Sequence, residues 1–156
     1  LTKSHVSAMD ISEDALKIAK ENAKQNNADI NFIHYDILST NQKINESSNH
    51  RIDKLDIIVS NPPYVRMSEK ELMNKNVLDF EPHLALFVDD NNPLLFYKAI
   101  ADFALKNLKK NGKLYFEINE AFSKEMTIML REKGFKNIEV KKDLSGKDRM
   151  VAAKKS

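Results

Sequence analysis

A chain of 156 residues, 42% hydrophobic and 31% charged, is long enough for one domain with a sizeable core. Its net charge of +2 supplies little drive for tight, sequence-independent nucleic-acid binding, and the absence of cysteine excludes disulfides, thiolate metal sites and a cysteine nucleophile. No apolar run approaches the roughly 18 residues that span a bilayer, so no membrane role is expected and the cytoplasm is the default compartment.

The chain opens on Leu1 and runs almost at once into an apolar segment, the pattern expected of a piece of a longer protein. His5 to Asp10 predicts a short strand ending on an acid. Ser12 is an N-cap, Glu13 and Asp14 suit the first helical turn, and Ala15, Leu16, Ala19 and Ala23 recur at helical spacing up to about Asn26. Ile30 to Tyr35 predicts the next strand, closing on Asp36, and the polar stretch Ser39 to Asp53 a surface loop. Leu55 to Ser60 is apolar enough for a strand buried on both faces. Ser68 is placed to cap a short helix to about Asn74, and Pro93 suits the first turn of a helix to about Leu108, with Leu94, Tyr97, Ile100, Ala101, Ala104 and Leu108 inward. Asn111-Gly112 predicts a stop and turn before a strand from Lys113 to Ile118. A helix from Ser123 to Lys133 closes at Gly134, a strand follows from Lys136 to Lys141, and Gly146 turns the chain into a last strand from Arg149 to Ala153. This alternation predicts an α/β architecture on a mostly parallel sheet, as one domain over 1–156.

The strongest chemical signal is Asn61-Pro62-Pro63-Tyr64, directly after the apolar strand. Ligands of open α/β sheets bind beyond the carboxyl ends of the strands. An amide or exocyclic amine nitrogen is a poor nucleophile because its lone pair is delocalised. Accepting hydrogen bonds from both of its N–H groups fixes the nitrogen and favours lone-pair density directed at a methyl donor. The Asn61 side-chain carbonyl and the Pro62 main-chain carbonyl are two such acceptors. The prolines stiffen the turn and remove competing donors, and Tyr64 offers a flat face for a planar group. The plain alternative is a rigid turn after a strand.

Asp10 and Asp36 both close strands, and a carboxylate there can take the hydroxyls of a ribose or an adenine amino group, with Ile37 beside Asp36 to pack on the ring. Acids also sit at such positions merely as helix caps. With the turn, they are expected to share one edge of a sheet. His5, His34, His50 and His83 are too dispersed for a metal site, and the methionines suit packing. The lysines from Lys133 to Lys155 suit a solvated basic face, with an RNA-facing patch as the alternative.

Four stretches carry a resemblance. They are Met9-Asp10-Ile11-Ser12 with Ala15-Leu16, Asn61-Pro62-Pro63-Tyr64-Val65, Phe80-Glu81-Pro82 with Ala85-Leu86, and Phe116-Glu117-Ile118 followed by Gly146-Lys147-Asp148-Arg149. The chain resembles the class I S-adenosylmethionine methyltransferases, and more narrowly the HemK/PrmC-type enzymes that methylate the glutamine of peptide chain release factors. The resemblance implies a Rossmann-like α/β sandwich, mostly parallel with a C-terminal antiparallel strand. It implies S-adenosylmethionine held by Asp10, Ile11, Asp36, Ile37 and Asn61. A glutamine amide would be held by Asn61, Pro62, Pro63 and Tyr64, with Glu81 bracing the turn or merely standing as a loop acid before Pro82. Glu117 is expected inward and paired, with Arg149 one partner among others.

The sequence departs from that pattern in three places. The glycine-rich loop expected before Asp10 is absent, as is the N-terminal helical domain, and Asn119 stands where the family usually has glycine. The first strand of the sheet is therefore expected to lie upstream. Weak cofactor binding by these residues alone, or none at all, follows, as does an open sheet edge prone to pair with a second copy. The nearest alternative chemistry is methylation of an exocyclic amine of adenine or guanine in DNA or RNA, and a non-catalytic module keeping the fold is a third.

Overall fold

The computed structural model describes residues 4–39, 52, 54–73, 76, 78 and 82–156. They form two compact units, Leu1–Asp53 and Lys54–Ser156.

The first unit is a strand–helix–strand crossover. β1 (Val6–Asp10) and β2 (Ile30–His34) are parallel, in register from Val6 opposite Ile30 to Asp10 opposite His34. Between them runs α1 (Glu13–Gln25), and the Ser12 hydroxyl accepts the Ala15 N–H at 3.1 Å, as the capping pattern predicts. Glu13 and Asp14 at its start and Lys24 in its last turn complement the helix dipole. Leu16 and Ala23, seven apart on one face, are buried, as is Ile33 of β2. Asn27, at φ 50°, takes the left-handed conformation that ends the helix.

The second unit holds a four-stranded sheet in the order β3-β6-β8-β7. β3 (Leu55–Ser60) leads through β4 (Val65–Arg66), a 3-10 helix (Met67–Leu72), α2 (His83–Leu86) and β5 (Phe87–Val88) to α3 (Leu95–Asn107). β6 (Leu108–Glu117), a second 3-10 helix (Glu120–Phe122), α4 (Ser123–Glu132), β7 (Lys136–Lys142) and β8 (Asp148–Lys154) follow. β3 and β6 are parallel, whereas β8 runs antiparallel to both β6 and β7, the expected C-terminal antiparallel strand.

Alternation along β6 buries Leu114 and Phe116, with Val151 of β8 beside Phe116. The core adds Tyr97, Ile100, Ala101 and Ala104 from α3 and Met126, Met129 and Leu130 from α4. Each large side chain so buried contributes about 1.5–3 kcal/mol. The Tyr97 ring meets Phe116 edge-on, centroids 5.2 Å apart.

Four expectations are corrected here. β3 is not buried on both faces, since Ile57 is 55% and Val59 74% exposed. β3 has β6 as its one neighbour in this sheet, and within its unit the face bearing those two side chains is left uncovered. Ser68 does not cap the helix that follows Arg66. Its hydroxyl instead donates to the Asp90 carboxylate at 3.0 Å. Pro93 lies in the turn ahead of α3 and not in its first turn.

Asn111-Gly112 does not end a segment. β6 continues through them by an irregularity in its pairing with β3, with Asn111 at φ 66°. A side chain at Gly112 would stand 3.0 Å from the Lys109 carbonyl and 3.2 Å from that of Asp56. The loop expected over Ser39 to Asp53 falls almost wholly outside the described residues, as does Phe80-Glu81.

Candidate active site

The turn Asn61–Tyr64 leaves β3 at its carboxyl end, beside the carboxyl end of β6, because Ser60 stands opposite Phe116 in the parallel register. Asn61 is exposed, Pro62 buried, and Pro63 and Tyr64 half-buried. The phenol of Tyr64 donates to Glu117 Oε1 at 2.8 Å. Its carbonyl accepts from Asn119 Nδ2 at 3.3 Å. The same nitrogen lies 3.1 Å from Glu69 Oε2, and Asn119 Oδ1 accepts the Ala121 N–H, opening the second 3-10 helix.

Beyond the turn, Glu69 accepts both the Arg66 backbone N–H (2.9 Å) and its guanidinium (3.0 Å), and that guanidinium lies 5.3 Å over the Phe122 ring. Behind Glu117, the buried Tyr97 hydroxyl donates to its main-chain carbonyl at 3.0 Å. The turn is therefore backed by the end of β6, and that strand end is held in turn by α3.

The electrostatics follow from these contacts. Burial, then the bond to Glu117 and its charge, push the Tyr64 phenol above its ordinary value of 10.0, while Arg149 pulls the other way. Tyr64 is thus a neutral donor at physiological pH. For Glu69, burial pushes the carboxyl up, but the hydrogen bonds and charge of Arg66 and the Asn119 donor outweigh it and hold the group below 4.5. Arg149 was one candidate partner for Glu117, with other pairings left open. Its charge reaches Glu117, while its Nε pairs with Asp143 at 3.4 Å and its Nη1 with the Ile118 carbonyl at 3.4 Å, and the hydrogen bond to the Glu117 carboxylate comes from Tyr64.

In the first unit Asp10 ends β1, and its Oδ1 accepts the Ser12 N–H at 2.8 Å. The Tyr35 N–H donates to the Asp10 carbonyl at 3.0 Å, which continues the pairing past β2. Asp36 follows, its Oδ1 accepting the Leu38 N–H at 2.9 Å. Both acids thus stand at the carboxyl edge of one parallel pair, each fixed by a backbone N–H two residues on. Ile11 is 46% exposed and Ile37 half-buried. His34 is spent locally, its Nε2 2.7 Å from the Ile11 carbonyl.

Glu81 lies outside the described residues. Sequence reasoning missed Glu69, whose spacing three residues after Arg66 was the available signal. It also missed what Asn119 does, although an asparagine just past a strand and followed by an acid is a helix-cap pattern. Among the described residues no group of three His, Asp or Glu side chains could hold a metal, and no helix is long and apolar enough to cross a membrane. A shallow hollow beside Asp56, Lys109 and Lys113 opens at the amino-terminal ends of β3 and β6, away from the turn, and an Asp56–Lys109 ion pair spans part of it.

The alternating order, with β3 and β6 parallel and β8 reversed between β6 and β7, is the class I methyltransferase arrangement. It superposes with a TM-score of 0.62 on a 16S rRNA N2 G1207 methyltransferase from Thermus thermophilus solved with AdoMet and guanosine, at 17% identity over 98% of this chain and 32% of that one. The sequence profile of the methyltransferase small domain matches residues 1–80, and the chain belongs to that family.

Two curated relatives are each named release factor glutamine methyltransferase. That of Flavobacterium psychrophilum is 50% identical over 151 residues, 97% of this chain and 50% of that protein. That of Bacteroides thetaiotaomicron is 44% identical over 153 residues, 98% of this chain and 52% of that protein. The chain spans about half the length of these relatives.

Proposed function

We propose that this chain is the catalytic portion of an S-adenosylmethionine-dependent N-methyltransferase acting on the side-chain amide of a glutamine in peptide chain release factors. The observation that carries it is the Asn61–Tyr64 turn, with Asn61 exposed at a carboxyl strand end and Tyr64 tied to Glu117, in a chain 50% identical to a relative of that name. Asn61 through its side chain and Pro62 through its main chain offer carbonyl oxygens to the two N–H groups of a primary amide. A nitrogen so held has its lone pair aimed in one direction, and such positioning is worth about 7–11 kcal/mol of barrier in favourable systems. Tyr64 packs its ring beside the amide plane. A neutral nitrogen needs no protein base before transfer, and its proton leaves afterwards.

The first unit fits the nucleoside part of the cofactor by donor chemistry. A ribose diol donates hydrogen bonds and Asp10 accepts them, an adenine amino group donates and Asp36 accepts, and Ile11 and Ile37 supply apolar contact. When bound, the cofactor supplies an electrophilic methyl group on a sulfonium. Release factors act with the ribosome, which agrees with a cytoplasmic enzyme.

The test uses the full-length gene product with methyl-labelled cofactor, offered either a release factor with an intact Gly-Gly-Gln loop or adenine- and guanine-containing oligonucleotides. Label is expected on the glutamine, and label confined to nucleic acid overturns the assignment in favour of an exocyclic amine. Asn61→Ala should lower kcat by about 100-fold or more, as loss of one oriented polar group does elsewhere. Unchanged turnover sinks the role given to Asn61.

A further inference from the structure

The end of β6 reaches Tyr64 twice. Glu117, its last residue, accepts the phenol at one end of the side chain, and Asn119 donates to the main-chain carbonyl at the other. We infer that Glu117 and Asn119 are positioning residues, a two-point latch that sets the plane of the Tyr64 ring and the direction of the turn for methyl transfer. This rests on the function proposed above.

Three features support it. First, the two bonds constrain different freedoms. An anchored phenol stops the ring from swinging about the Cα–Cβ bond, and a tied carbonyl stops the peptide after the turn from rotating, so neither bond replaces the other. Second, each latch residue is itself held. The Glu117 carbonyl accepts from the buried Tyr97 hydroxyl, and the Ile118 N–H donates to the Arg149 carbonyl at 2.9 Å, so the strand end cannot drift. Asn119 is fixed because its Oδ1 caps the helix that follows while its Nδ2 also meets Glu69. Third, the hydrogen bond to the carboxylate comes from the phenol. The phenol donates to Glu117 at 2.8 Å, while Arg149, whose charge also reaches Glu117, hydrogen-bonds to Asp143 and to the Ile118 carbonyl. A charged acceptor gives a shorter and stronger bond than a neutral one, which suits an anchor.

The experiment uses the full-length gene product and two independent readouts. In the first, the Tyr64 ring carbon bearing the hydroxyl is carbon-13 labelled and its titration followed by NMR. The phenol is expected to titrate above 10.0 in the wild type and to move down in Glu117→Ala. An unmoved titration overturns the latch whatever the substrate proves to be.

In the second, kcat, KM for the acceptor and cofactor affinity are measured for Glu117→Ala, Glu117→Gln and Tyr64→Phe, and for Glu117→Ala combined with Tyr64→Phe. Glu117→Ala is expected to lower kcat by about 10-fold to 100-fold, the scale of a misplacement near 1 Å, with cofactor affinity unchanged. Glu117→Gln keeps a carbonyl that accepts the phenol and should return kcat to within about threefold of wild type, and Glu117→Ala should cost nothing further once Tyr64 is Phe. Equal losses in both backgrounds, or no rescue by Gln, overturn the latch.

Asn119→Asp keeps the cap on Ala121 but loses the donor to both Tyr64 and Glu69 and faces the Glu69 carboxylate. It is therefore measured in the wild type and in a Glu69→Gln background that removes the repulsion, each against its own parent. It should lower kcat while Glu120–Phe122 stays helical, and unchanged kcat removes Asn119 from the latch. A wild-type protein that methylates neither acceptor overturns the function itself, and the ring titration still decides whether the phenol is anchored.

Discussion

Tyr97→Phe isolates one hydrogen bond in the support of the site. The ring is 1% exposed and its edge contact with Phe116 survives the change, so apolar burial is retained and only the hydroxyl is lost. That hydroxyl, on a ring buried in the core, donates to the Glu117 carbonyl at 3.0 Å. A typical net hydrogen bond contributes about 0.5–1.5 kcal/mol, and an acceptor left wanting in a buried setting raises the loss toward about 2 kcal/mol. We expect 1–2 kcal/mol, by roughly these same limits, read as a lower urea midpoint at unchanged slope. Tyr97→Ala, which also empties a cavity, should cost about 3–5 kcal/mol. Burial holds this phenol well above its ordinary 10.0, so the folded form keeps its proton longer than the unfolded chain does. The associated stability is fully present below pH 10.0 and is lost as pH rises above it, a loss that Tyr97→Phe should diminish. A Tyr97→Phe midpoint that matches wild type within about 0.3 kcal/mol refutes the claim that the hydroxyl holds the strand end.

Gly112→Ala should destabilise by about 1–3 kcal/mol, because the added carbon meets backbone carbonyls that cannot swing aside, and thermal unfolding checks it. Ser12→Ala should cost about 1 kcal/mol through loss of the cap on α1, seen as faster amide exchange at Ala15. The Glu69 carboxyl is held below 4.5 in the fold, so its contribution is present above that value and is lost as pH falls through the folded value. Glu69→Gln should flatten that acid limb in a pH series of urea midpoints.

Local signals were legible where local physics decides the outcome. Ser12 and its following acids set the start of α1, and the alternation at Leu114 and Phe116 set the inner face of β6. The candidate turn was legible because prolines restrict their own φ and their neighbours' backbone. What depended on partners distant in sequence was not. An apolar run cannot tell whether a second neighbour covers it, so the exposure of Ile57 and Val59 was invisible. Ser68 reads as a cap until Asp90, 22 residues on, competes for its hydroxyl. Charge pairing left Arg149 open as one partner for Glu117, and nothing local pointed to the phenol 53 residues away that donates to it. Asn111-Gly112 carries a true turn signal, which the sheet absorbs as an irregularity instead of an ending.

β8 comes after β7 in the chain but lies inside it in the sheet, bonded to β6 on one side and β7 on the other. During synthesis β3, β6 and β7 emerge first, and the strand that pairs with both β6 and β7 in the finished sheet, Asp148–Lys154, comes last. Until then Glu117 lacks its neighbour Met150, and the strand end beneath the turn has one flank instead of two. A ribosome-bound chain stalled before Asp148 should therefore expose β6 to chaperones and proteases, and competence at the turn should arrive late and abruptly as β8 docks.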